Sequence, residues 1–130
     1  MFRDDDPYLA DLRQLALAYP EAAEKVSHGR PTFFAGKVFA VFTGTDERPF
    51  TVVFKPDPDD RPALLEDPRF SVPPYYGPYG WLALDFDAAP VDWDEVDELL
   101  DASYRQIALK RMLKALDEQR STPPPDSLSS

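Results

Sequence analysis

An α+β domain, with helices packed on one face of an antiparallel sheet in the order α-β-β-β-α-β-β-α, is what this 130-residue chain predicts. Three observations carry that expectation. Apolar residues recur at three- and four-residue spacing near both ends of the chain. Short runs rich in Phe, Val and Thr fill the middle, and turns containing Gly or Pro separate most of them. Hydrophobic residues make up 43% and charged residues 29%, a globular balance that excludes wholesale disorder.

The first helix is predicted from Tyr8, Leu9, Leu12, Leu15 and Ala16, with Asp6 as N-cap, Pro7 as first helical residue and Pro20 as terminator. Residues 21–31 read as an irregular connection. Thr32–Ala35 and Lys37–Thr43 then form a tight hairpin around Gly36, and Phe50–Lys55 supplies the third strand. A short helix is expected over Arg61–Glu66, with Pro62 in its first turn. Phe70–Val72 and Trp81–Phe86 are the remaining strands, and Trp81 reads as a core residue. Asp92 caps one last helix whose apolar stripe runs Trp93, Val96, Leu100, Tyr104 and Ile107, then Leu113 or Leu116. A single domain over 1–118 is expected, followed by a disordered Pro/Ser-rich tail over 119–130 containing Pro123-Pro124-Pro125.

The absence of cysteine excludes disulfides, thiolate metal sites and cysteine nucleophiles. No apolar run reaches the ~18 residues of a membrane span, so a cytoplasmic protein without a membrane partner is expected. The net charge is −10, which opposes binding to a phosphate backbone. One stretch runs against that balance: residues 27–56 hold Arg30, Lys37, Arg48 and Lys55 against Asp46 and Glu47.

His28 is the only histidine, and no local motif supplies it with a nucleophile or an orienting acid. Phosphate-binding loops and the common hydrolase motif are missing too, so the expectation is a protein that is not an enzyme and uses no cofactor. Four cations or near-cations, His28, Arg30, Lys37 and Lys55, are the candidate nucleic-acid or anion-binding residues. Tyr75, Tyr76 and Tyr79 lie in a Gly/Pro-rich loop and are the candidate aromatic contacts, suited to stacking or to a protein surface. Asp94, Asp97, Glu98 and Asp101 on the last helix read as solvated carboxylates, and no metal site is expected.

Several segments together resemble the MmcQ/YjbR-like proteins. They are Leu15-Ala16-Leu17 before Pro20, His28-Gly29-Arg30-Pro31-Thr32-Phe33, Gly36-Lys37-Val38-Phe39-Ala40, Val53-Phe54-Lys55, Tyr75-Tyr76 with Gly80-Trp81-Leu82, and Ser103-Tyr104. The resemblance spans about residues 8–110 and implies a fold similar to frataxin (CyaY-like) and a DNA-binding role through a double-wing motif. The expected partner is therefore nucleic acid, held weakly and in a salt-sensitive way by the basic stretch. The alternative is a protein–protein adaptor, or a domain that binds a small anionic ligand with its aromatic loop.

Overall fold

Six strands form one antiparallel sheet in a computed structural model that describes residues 6–45, 47–74 and 76–121. They are β1 (Ala23–Ser27), β2 (Arg30–Ala35), β3 (Lys37–Thr43), β4 (Thr51–Phe54), β5 (Phe70–Ser71) and β6 (Leu82–Asp85), in the spatial order β1-β2-β3-β4-β6-β5. The helices are α1 (Leu9–Ala16), α2 (Arg61–Leu65), α3 (Trp93–Ile107) and α4 (Lys110–Ser121). The predicted α+β class is the observed one.

Alternation along the strands sorts the side chains by face. Phe33, Phe42, Val52, Phe54, Leu82 and Leu84 turn to one side, where Leu9 and Leu12 of α1 and Leu100 and Tyr104 of α3 complete the core. Each such side chain contributes roughly 1.5–3 kcal/mol by leaving water. On the other side Val41, Val53 and Ala83 form only a small cluster, edged by Val38, Tyr76 and Trp81. That second face carries no helix residue in its cluster. A one-residue slip in register would exchange the two sets, so the large core locks the pairing.

Strand β3 contains a bulge. Phe33 pairs with Ala40 and Phe34 with Val38, which leaves Phe39 unpaired against β2. The bulge sends both Phe39 and Phe42 into the helix-side core, which strict alternation over 39–42 forbids.

Four expectations are corrected. The stretch read as irregular contains β1, paired with β2 over Ala23–Ser27. Ala-Glu-Lys-Val-Ser has weak strand preference, and its pairing is imposed by β2 through a two-residue hairpin. His28 (φ 53°) and Gly29 (φ 75°) are the loop of that hairpin, both at positive φ as a type I′ turn requires.

Helix α1 starts at Leu9, not at Pro7, and its N-cap is Tyr8 in a left-handed conformation (φ 75°). A bulky residue takes that conformation only when held there. Tyr8 is held by a 2.7 Å hydrogen bond from its hydroxyl to Asp87 and by stacking on Phe86 at 5.1 Å.

The single last helix is two. Ala108 takes an extended conformation (ψ 147°) that ends α3, and after Leu109 the chain re-enters a helix, α4. The break brings Met112 and Leu116 into the core; of the two expected continuations of the stripe, Leu113 or Leu116, Leu116 is the buried one. Helix α4 also runs through Ser121, so residues 119–121 are helix where a tail was expected. The rest of the expected tail, 122–130, lies outside the described residues.

Candidate binding site

The helix-free face of the sheet is concave, because two loops rise from it. One wall is made by Gly44, Thr45, Glu47 and Arg48 between β3 and β4, tightened where the Thr45 N–H donates to the Arg48 carbonyl at 2.9 Å. Gly44 permits that closure, since a Cβ there would sit 2.1 Å from the Pro49 carbonyl oxygen. The other wall is made by Val72, Pro73, Pro74 and Tyr76, followed by a 3₁₀ turn over Gly77–Tyr79.

Two lobes lie between and beside these walls. The first, of about 240 Å³, has an apolar floor of Val53 and Ala83, hydroxyls from Thr43 and Ser71, and Tyr76 on its flank. Tyr76 is backed by Trp81, ring centroids 5.7 Å apart. The second, of about 460 Å³, opens at the end of the sheet by the β1–β2 hairpin, where His28, Gly29 and Asp6 line it together with Phe42 and Phe50 from the helix-side core. Arg30, Thr43, Gly44 and Thr45 line both lobes.

Arg30 has no ion pair or side-chain hydrogen bond among the described residues. Most other arginines are occupied. Arg13 grips Glu24 with bonds of 2.9–3.0 Å. Arg69 bridges Asp67 and Glu95, each at 2.7 Å, and those two hydrogen-bonded carboxylates push its pKa up further, Glu95 most. The same guanidinium holds the Asp67 carboxyl below its ordinary range. Arg105 binds Asp101 and Asp117, Arg111 binds Glu21, and Arg120 reaches Asp97 and Asp101. Arg48, on the groove wall, stands 4.0 Å from Asp85. The acidic helices thus neutralise arginines on their own side, while the helix-free face keeps a free guanidinium in a chain of net charge −10.

The four candidate cations do not converge. His28 and Arg30 sit at the hairpin end of β2, beside the groove. Lys37 opens β3 and Lys55 follows β4, both at the opposite end of the sheet, because Thr43 and Thr51 are the partners at the groove end. Thr43 lies six residue steps along β3 from Lys37, roughly 20 Å at ~3.3 Å per residue. The Lys55 backbone has a structural duty: its N–H donates to Ser103 Oγ at 2.9 Å, and its carbonyl accepts from Gln106 at 2.9 Å.

Among the aromatic candidates, Tyr76 lines the first lobe and Tyr79 stands 75% exposed on the 3₁₀ turn. Tyr75 lies outside the described residues. Trp81 is corrected from core to half-buried, since it precedes β6 and packs against the small cluster of Val41, Val53 and Ala83, which holds no helix residue among the described residues. Asp97 and Asp101 are taken up in the Tyr19 and Arg120 contacts of the helix packing. Sequence reading passed over Thr43, Ser71 and Arg48. The usable signal was alternation: Thr43 and Ser71 follow the buried Phe42 and Phe70 and must turn to the opposite face.

A model of the YjbR family matches residues 17–106, from the end of α1 to the last turn of α3. The chain belongs to the YjbR family. Helix α4 lies beyond the matched region of this YjbR domain. Among solved structures, the crystal structure of Deinococcus radiodurans protein DR2400, with a DUF419 domain, is similar at 21% identity and a TM-score of 0.66. The match covers 88% of each chain and supports the fold. A search of curated proteins found no match. No helix among the described residues is long and apolar enough to cross a membrane.

Proposed function

We propose that this YjbR domain is a binding module, not a catalyst, and that it holds single-stranded nucleic acid on the helix-free face of its sheet. The observation that carries this reading is Arg30, a guanidinium free of ion pairs, on the same face as the Tyr76–Trp81 pair. Proteins that bind single strands combine a cationic contact to the backbone with aromatic rings on which bases stack. A duplex offers no free base faces and needs a longer cationic track, which the separation of Lys37 and Lys55 from Arg30 does not provide.

Fluorescence anisotropy with labelled single-stranded and double-stranded DNA at low and physiological salt tests the reading. Binding of the single strand, abolished by Arg30→Glu and little changed by Lys37→Glu with Lys55→Glu, is the expected result. Equal loss from the lysine pair would move the interface to the other end of the sheet, and no binding at low salt would refute it.

One observation favours a second reading, a protein adaptor: Val72 (53% exposed), which lines the first lobe, and Tyr79 (75%), on the 3₁₀ turn of the same wall, are both uncovered apolar side chains. Protein capture that Tyr79→Ser abolishes and Arg30→Glu spares would favour the adaptor.

A further inference from the structure

The groove is short, and its charge is sparse, which limits how much of a strand it can hold. Its two lobes meet at Arg30 and differ in kind. The first is apolar at its floor, flanked by Tyr76 and supplied with the hydroxyls of Thr43 and Ser71, neither of which has a hydrogen-bond partner among the described residues. A flat heterocycle with polar edges suits it, stacking on Tyr76 with the Trp81 ring behind. The second is more polar and opens at the His28-Gly29 turn. At 240 and 460 Å³ the lobes together fall in the range of small-molecule sites, roughly 300–1,000 Å³.

Charge points the same way. Within the groove, Arg30 is the one arginine without a carboxylate partner, because Arg48 faces Asp85. Elsewhere on the helix-free face Lys25 lies over the Phe34 ring at 4.9 Å, and Asp6 and Glu47 edge the lobes with negative charge. A strand extended past the groove would meet these carboxylates. One free guanidinium answers one phosphate.

We propose that the site takes a single nucleotide unit, its base in the Tyr76 lobe and its phosphate on Arg30 toward the His28 lobe. The inference rests on the single-strand reading above and narrows it from a polymer track to one nucleotide with its adjoining phosphate. Hydroxyls at the base edge make recognition sensitive to the base, since each must find a partner once covered.

Calorimetric titration of the intact protein with thymidine monophosphate, its dinucleotide and a thymidine dodecamer, each at several salt concentrations, tests this. The expected result is a dodecamer salt slope of about 0.7, the value for one contact on a single strand, with an affinity per binding register no higher than the dinucleotide's. A dodecamer lacking its bases should bind at least roughly tenfold more weakly, a loss of ~1.4 kcal/mol. Tyr76→Ala should weaken the base-bearing ligands and leave the abasic one unchanged. A dodecamer slope equivalent to two or more contacts, with an affinity per register well above the dinucleotide's, would overturn the single-unit site while leaving the single-strand reading standing. Equal binding of the abasic strand would overturn the base lobe. Failure of every length to bind at low salt would remove the single-strand reading, and this inference with it.

Discussion

Ser103 donates a hydrogen bond to the carbonyl oxygen of Phe39, the bulged residue of β3, at 2.6 Å. The same hydroxyl accepts from the Lys55 N–H at 2.9 Å, so a side chain from α3 bridges β3 and β4 just past their paired region. Ser103 is fully buried, and no water can replace it without a cavity. The bulge that re-aims Phe39 into the core therefore depends on a helix residue 64 positions away.

Ser103→Ala should destabilise the fold by about 1–3 kcal/mol, because two buried backbone groups lose their partner. Urea denaturation should show a lower midpoint with an unchanged slope. A change under ~0.5 kcal/mol would mean that β3 and β4 close the gap themselves.

Trp81→Ala should cost about 2 kcal/mol, less than the ~3–5 of a fully buried tryptophan. The ring is half-buried in a small cluster and supports Tyr76. Thermal denaturation measures the stability loss, and titration with a single strand should show weakened binding as Tyr76 loses its backing. A loss above ~4 kcal/mol would place the ring in the main core instead.

Arg120→Ala should lower stability by about 1–2 kcal/mol, although Arg120 lies in the last turns of α4. Asp101 Oδ2 is buried without a hydrogen-bond partner among the described residues, and Arg120 Nη1 stands 2.8 Å away as its counter-charge. Removing the cation strands that oxygen. An unchanged melting temperature would show that Arg105, on the other Asp101 oxygen, suffices alone.

Stability should fall on both sides of neutral pH. Burial, aided by the hydrogen bond to Asp97, pushes the Tyr19 phenol up, and burial does the same to Tyr104. A phenol whose folded pKa exceeds the unfolded value of about 10 contributes stability that is complete below pH ~10 and lost as pH rises beyond it. Asp67 and Glu21 are held low by Arg69 and Arg111, so their contribution is present above pH ~4 and lost as pH falls through their folded values. Tyr19→Phe should flatten the alkaline limb of a stability–pH profile measured by urea denaturation. A limb as steep as the parent's would rule Tyr19 out as its source.

Several features were legible in the residues alone. Strand β3 matches its predicted bounds of Lys37–Thr43, and the Asp92 cap accepts from the N–H groups of Asp94 and Glu95 as read. Family membership was legible too, through motifs spread over nearly the whole domain. The site was legible only in part: His28, Arg30 and Tyr76 could be nominated by residue type, but grouping Arg30 with Lys37 and Lys55 could not be checked by spacing.

Local pattern determined what local physics controls: the α+β class, the Asp92 cap of α3 and most strand positions follow from periodicity, backbone limits and hydrogen bonding between near neighbours. Tertiary structure decided the rest, for reasons that involve distant partners. Strand β1 exists because β2 offers it a ladder, and Tyr8 is left-handed because Asp87 and Phe86 hold it. The break at Ala108 turns Met112 and Leu116 into the core. The groove depends on the way antiparallel strands run: one strand's length carries Lys37 away from Arg30, while sheet order brings Thr43, Val53, Ala83 and Ser71 under the same two loops. Charges seven residues apart, Arg30 and Lys37, were parted, and residues forty apart, Thr43 and Ala83, were joined, because pairing register, not chain distance, sets which side chains share a face.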